Sequence, residues 1–203
     1  MRAGTRRELI AGPAGNIECA VDAPSGAVRG VALVAHPHPL FGGTLDNKVA
    51  QTLARAFVEL GYVAWRPNFR GVGASEGVHD EGRGEVDDLA AVLAHAKAAQ
   101  GAPAHVLAGF SFGAAMQAKL AARAGAAPER MVLVGLAVRH ADVPPVAKDT
   151  IVIHGSEDTT VPLADVLAWA EPQELPVVVV PGADHFFHRR LHVLRGIIQG
   201  QWK

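Results

Sequence analysis

Ser111 stands in Leu107-Ala-Gly-Phe-Ser-Phe-Gly-Ala-Ala-Met116, inside the spacing Gly-x-Ser-x-Gly. That spacing suits a sharp strand-to-helix turn that pushes the hydroxyl outward. A serine hydroxyl is a weak nucleophile unless a base takes its proton during attack. Two later stretches carry partners of the right type: Asp158 in His154-Gly-Ser-Glu-Asp-Thr-Thr-Val-Pro162, and His185 in Val180-Pro-Gly-Ala-Asp-His-Phe-Phe187. An imidazole can act as general base near neutral pH. A carboxylate behind it fixes one tautomer and stabilises the imidazolium that forms. Glu157 is the rival carboxylate, and the His-Gly-x-x-Asp spacing favours Asp158. Asp184, next to His185, reads as a turn residue or as support for the imidazole.

The elements that must hold these groups follow from hydrophobic patterning. Residues 5–11 and 16–22 alternate as short strands around a Gly-Pro-Ala-Gly turn. Gly30–Ala35, Met131–Leu136, Thr150–His154 and Val177–Val180 are continuous apolar runs, as expected of strands covered on both faces. Tyr62–Arg66 and His105–Ala108 are further strands. Helical spacing runs over Asn47–Leu60, Glu85–Gln100, Phe112–Ala124, Leu163–Ala170 and Phe186–Gln199. This alternation predicts an α/β protein with a mostly parallel central sheet and helices on both faces. In such sheets, reactive groups gather at the carboxyl ends of strands. Ser111, Asp158 and His185 each follow a predicted strand, and each gap between them is long enough for a helix that returns the chain to the same edge.

Four motifs together carry a family resemblance. They are Gly109-Phe-Ser-Phe-Gly113, His154-Gly-x-x-Asp158-x-x-Val-Pro162, Gly182-x-Asp-His185, and His36-Pro-His-Pro-Leu-Phe-Gly-Gly43 with Asp46-Asn-Lys-Val49. Over nearly its whole length the chain resembles the small α/β-hydrolases, whose triad runs in the order Ser, Asp, His. The fourth motif resembles a bacterial group of lid-less hydrolases similar in compactness to dienelactone hydrolase, which carries cysteine where this chain has serine. The resemblance implies an α/β-hydrolase fold without a cap domain, and an oxyanion hole of two backbone N–H groups. Phe112, the residue after the nucleophile, is expected to give one. The other is expected from the loop after the strand at 30–35. There Pro37 and Pro39 have no N–H, which leaves His38, Leu40 and Phe41. Leu40 is favoured, because Leu-Phe-Gly is similar to the Ile-Phe-Gly oxyanion turn of the dienelactone-like relatives. His38, Phe41 and Phe110 are the expected substrate contacts. For Phe110, as for Phe186 and Phe187, burial in the core is the favoured expectation over lining the site.

Composition narrows the alternatives. A chain of 203 residues reads as a single domain, 1–203, with no repeat or linker. A formal charge of −1 points to neither a nucleic-acid surface nor an anionic membrane. One cysteine, Cys19, excludes an internal disulfide, and its alternating surroundings read as core strand. The basic start leads into no apolar run, and no stretch approaches the ~20 apolar residues that span a bilayer. A cytoplasmic protein is expected. There are ten histidines, including the pair His36 and His38 and the group His185, His188 and His192, but no His-Glu-x-x-His signature. Neither a metal nor another cofactor is expected. Arg70-Gly-Val-Gly-Ala-Ser-Glu-Gly77 fits neither phosphate-loop pattern and reads as a glycine-permitted turn.

The expected activity is hydrolysis of carboxylic esters or thioesters of small to medium acyl groups through an acyl-enzyme. A small-molecule substrate is the expected partner. An acyltransferase or peptidase using the same residues, and a non-catalytic binding module on the same fold, are the alternatives.

Overall fold

The apolar runs pair into one sheet. The computed structural model describes residues 4–101, 104–123, 127–139 and 141–202. In it, β1 (Arg6–Gly12) and β2 (Gly15–Asp22) form an antiparallel hairpin. They are followed by β3 (Gly30–Ala35), α1 (Lys48–Glu59), β4 (Tyr62–Pro67), α2 (Arg83–Gln100), β5 (His105–Phe110) and α3 (Phe112–Ala121). The chain continues through β6 (Arg130–Val134), β7 (Ile151–Gly155), α4 (Leu163–Ala170), β8 (Val177–Val180) and α5 (Leu191–Gln201). The strand order is β1-β2-β4-β3-β5-β6-β7-β8. From β4 to β8 all pairings are parallel, while β2 meets β4 antiparallel. From β3 the chain steps to β4 on one side and then to β5 on the other. That reversal opens a crevice at the carboxyl ends of β3 and β5.

Each face of the sheet carries its own core. Leu33, Trp65, Leu107 and Leu133 point toward α2 and α3, against Leu89, Val92 and Met116. Their strand neighbours Val34, Ala108 and Val134 point the other way, toward Leu53 and Phe57 of α1 and Leu194 and Ile198 of α5. This period-2 division is why β3, β4 and β5 read as unbroken apolar runs. α1 starts where Asn47 Oδ1 accepts from the N–H groups of Val49 and Ala50, at 2.9 and 3.3 Å, and Gly61 at φ 92° turns the chain out of it.

Three expectations need correction. The helix expected over 186–199 begins only at Leu191, because Phe187 and Arg189 have φ of 53° and 60°. His188 therefore precedes the helix and shares no helical face with His192. β8 is an edge strand, half open along its length, rather than covered on both faces. α3 ends at Ala121, and Ala124, where it was expected to end, lies outside the described residues. The loop 68–82 is fastened to β2, as Ser75 Oγ accepts from Glu18 N–H at 2.9 Å and Glu76 N–H donates to Asn16 O at 2.8 Å. No described helix is long and apolar enough to cross a membrane.

His36 joins the end of β3 to the start of this loop. Its Nε2 accepts from the Phe69 N–H at 3.0 Å, and its Nδ1 donates to Pro37 O at 2.7 Å. Only a neutral ring can do both. Burial pushes its pKa from 6.5 down to about 4. Between those values the unfolded chain binds a proton there and the folded chain does not. Stability should therefore fall as pH drops from about 6.5 to about 4, by about 3 kcal/mol from this group alone. Urea unfolding across that range checks it, and a flat stability would contradict it.

Candidate active site

Ser111 occupies the single residue between β5 and α3, with φ 56° and ψ −118°. A non-glycine residue there holds backbone strain of roughly 1–3 kcal/mol. Its surroundings enforce the turn. A Cβ on Gly109 would strike the backbone of Gly113 and Ala114, and one on Gly113 would strike the carbonyls of Ala35 and His36. The Ser111 N–H is held by Val134 O at 2.8 Å. The elbow thus presses the first turn of α3 against the end of β3, and the side chain stands at the crevice.

Two strand ends further along the sheet supply the partners. His185 Nε2 lies 3.1 Å from Ser111 Oγ, and His185 Nδ1 lies 2.6 Å from Asp158 Oδ2. The other carboxylate oxygen accepts from the N–H groups of Thr160 and Val161 at 2.9 and 2.7 Å. An ionised carboxylate facing Nδ1 keeps the hydrogen there, so the lone pair of Nε2 faces the hydroxyl. Ser111, Asp158 and His185 are all buried. Glu157, by contrast, is exposed and does not face the imidazole. Asp184 accepts from the His188 N–H and meets His188 Nδ1 at 2.6 Å, which makes it a turn residue.

The imidazole of His185 is packed as well as hydrogen-bonded. Gly135, at φ 54°, leaves the space that the ring occupies, since a Cβ there would come within 3.2 Å of His185 Cε1. Phe110 lies under the ring at 4.8 Å between centroids and Phe186 lies beside it at 5.2 Å. Phe110 is fully buried, so it is a floor for His185 and not a substrate contact, which corrects the expectation for it. Phe187 is core, while Phe186 is partly exposed.

His154 supports Asp158 from behind. Its Nε2–H donates to Val161 O at 2.8 Å and passes 3.4 Å from Asp158 Oδ2. Burial lowers the pKa of His154, which keeps it neutral. The sequence motif contained His154, but its type alone did not tell a loop anchor from a chance residue.

On the other side of Ser111, the turn 38–41 flanks Phe112. The N–H of Phe112 opens α3 and has no partner among the described residues, as expected of a helix N-terminus. The Leu40 N–H was expected to be the second oxyanion donor. It faces His38 Nδ1 at 3.3 Å, and the Phe41 N–H faces His38 O at 3.2 Å. The His38 ring sits 4.7 Å from Phe112 and 4.8 Å from Phe41, whose side chain is 86% exposed. Both expected contacts therefore border the elbow.

Other chemistry-bearing candidates lie elsewhere. Cys19 is buried in β2, and desolvation, helped by Glu8 and Glu18, pushes its thiol to about 12, so it is no thiolate nucleophile. Among the described residues, no group of three or more His, Cys, Asp or Glu could hold a metal. A cavity of about 610 Å³ opens beside α1, but its lining includes none of Ser111, Asp158 and His185, and its Arg66 is already paired with Asp22 at 2.8 Å.

A sequence model of the serine aminopeptidase S33 family matches residues 42–166. The chain belongs to this family of α/β serine hydrolases. Across its full length it is similar to an α/β serine hydrolase homologue from Coxiella burnetii, with 38% identity, complete coverage of both chains and a TM-score of 0.91. A Xanthomonas campestris α/β serine hydrolase, described as lacking a lid, is 37% identical over 99% of this chain and 94% of its own, with a TM-score of 0.88. An uncharacterised Rickettsia prowazekii protein is 41% identical over 113 residues, which is 55% of this chain and 48% of that protein. The chain thus spans about half the length of that curated relative.

The hydrolase should lose turnover by several orders of magnitude in Ser111→Ala or His185→Ala, with the far-UV circular dichroism unchanged, because groups that act as one unit fail together. Retained turnover in either variant would remove that residue from the site. His154→Leu leaves the Val161 carbonyl buried without its donor and should cost about 1–3 kcal/mol in urea unfolding. An unchanged midpoint would show that His154 does not hold the loop.

Proposed function

We propose that the chain, acting as a single domain over residues 1–203, hydrolyses carboxylic esters or thioesters of small to medium acyl groups. The observation that carries this reading is the continuous line of contacts from Ser111 Oγ to His185 Nε2 at 3.1 Å and from His185 Nδ1 to Asp158 at 2.6 Å, set on a strained elbow. Ser111 Oγ attacks the carbonyl carbon as His185 takes its proton, and the negative charge moves to the carbonyl oxygen. The Phe112 N–H is one donor to that oxyanion. Collapse expels the alcohol or thiol, which takes the proton from His185, and leaves Ser111 acylated. Water, deprotonated by His185, then attacks the acyl carbon and releases the acid and the free serine. Asp158 orients the imidazole and stabilises its protonated form throughout.

The size preference rests on the connection between β6 and β7. Its described residues form no helix or strand, and they are tied down beside α4, where Trp169 Nε1–H donates to Val143 O at 3.2 Å. None of its described residues forms an element that could wall a deep acyl tunnel. Across a series of p-nitrophenyl esters, kcat/KM should be highest for short and medium acyl chains. A strong preference for long chains would overturn this part of the reading. The description of the matched family as a serine aminopeptidase favours a second reading, a peptidase using the same residues. Aminoacyl p-nitroanilides turned over faster than the esters would place it first.

A further inference from the structure

A second buried carboxylate faces a second imidazole beside Phe112. Glu85, in the first turn of α2, has a fully buried side chain. Its Oε1 accepts from the Asp80 N–H and its Oε2 from the Gly82 N–H, both at 2.8 Å. His79 Nδ1 lies 2.8 Å from Oε1, although its N–H direction is off the line to that oxygen, so the contact is electrostatic rather than an aligned hydrogen bond. Asp158 likewise has two backbone donors and one imidazole Nδ1, but takes both donors on one oxygen and meets Nδ1 in a hydrogen bond with the other. The two pairs also differ at the outer nitrogen. His185 Nε2 meets Ser111. His79 Nε2 has no hydrogen-bond partner among the described residues, and the His79 side chain is 14% exposed.

The location of His79 gives this nitrogen something to do. Its ring lies 5.8 Å from that of Phe112, the residue after the nucleophile, and 5.0 Å from that of His38. Leu40, Phe41 and Val78, all strongly exposed, stand on the turn and loop that carry His38 and His79. The rim is thus apolar, with an imidazole set into it. A carboxylate beside Nδ1 keeps the hydrogen on that atom and leaves Nε2 as an acceptor. The nearby cations are already held, Arg70 by Asp88 and Arg83 by Asp80, so the local field favours a donor over an anion.

We propose that His79, oriented by Glu85, accepts a hydrogen bond from a hydroxyl or amine on an otherwise apolar substrate and so selects among esters. Glu85 is the positioning residue. The inference deepens the proposed function and rests on it only for where the substrate sits.

The test is binding rather than turnover. Methyl ketones of graded chain length, with ω-hydroxy and ω-amino counterparts, are titrated by calorimetry into the protein and into His79→Phe. At one chain length the hydroxy or the amino ketone should bind about tenfold tighter than the plain ketone, and the two arms separate hydroxyl from amine. His79→Phe should erase the difference, and His79→Leu serves if the phenylalanine variant does not fold. Equal affinities at every length, or a difference that survives at His79→Phe, would overturn the proposal. Hydrolysis of p-nitrophenyl acetate is read on the same samples. Turnover without selectivity sinks this inference alone, and selectivity without turnover sinks the nucleophile reading alone.

Discussion

The backbone of Ser111 has almost no freedom, and the arrangement of the site follows from that constraint. The carbonyls ending β3 leave no space for a side chain at Gly113, and the first turn of α3 leaves none at Gly109. Between them the chain must reverse from strand to helix within one residue, and it does so at a φ that L-residues avoid. The strain is retained because β5 is locked between the two cores and α3 into one of them. The result is a hydroxyl at the sheet edge, followed directly by a backbone N–H that has no partner among the described residues. Because β3, β5, β7 and β8 run parallel, their carboxyl ends share that edge, and the groups that follow β7 and β8 can reach the hydroxyl.

Burying charge in such a place requires compensation, and the hydrolase uses the same device repeatedly. Asp158 accepts two backbone N–H groups from its own turn and Glu85 two from the loop just before its helix, so loop and carboxylate hold each other. Each then faces one imidazole Nδ1. His36 and His154 take the opposite course: burial keeps them neutral, and they serve as rigid crosslinks between a strand end and a loop. Four histidines of one ring type therefore do different work, decided by which nitrogen meets a carboxylate, a carbonyl or an N–H.

The sequence was most informative where burial and backbone agree. The run at 30–35 is buried throughout and its strand limits match the structure, because Gly30 and the proline after His36 bracket the apolar residues there. The sequence misled where burial and backbone part company. Phe187, Leu194 and Ile198 have helical spacing and do share one core, yet positive φ at Phe187 and Arg189 delays the helix to Leu191. That Ser111, Asp158 and His185 would meet was readable because each follows a strand in a fixed order. For Phe110 a substrate contact and burial were both open, and the structure buries it. The engagement of the Leu40 N–H depends on the rotamer of His38, which no spacing encodes. His79 fell between the Arg70–Gly77 turn and the helix expected from Glu85, and no spacing linked the two side chains.

The claim on which everything else stands is that Ser111 is an activated nucleophile, held ready by His185 and Asp158. Intact mass spectrometry after exposure to a fluorophosphonate tests it without any knowledge of the substrate. One adduct on the parent protein and none on Ser111→Ala is the predicted result. An unmodified parent, or the same adduct on both proteins, would contradict it.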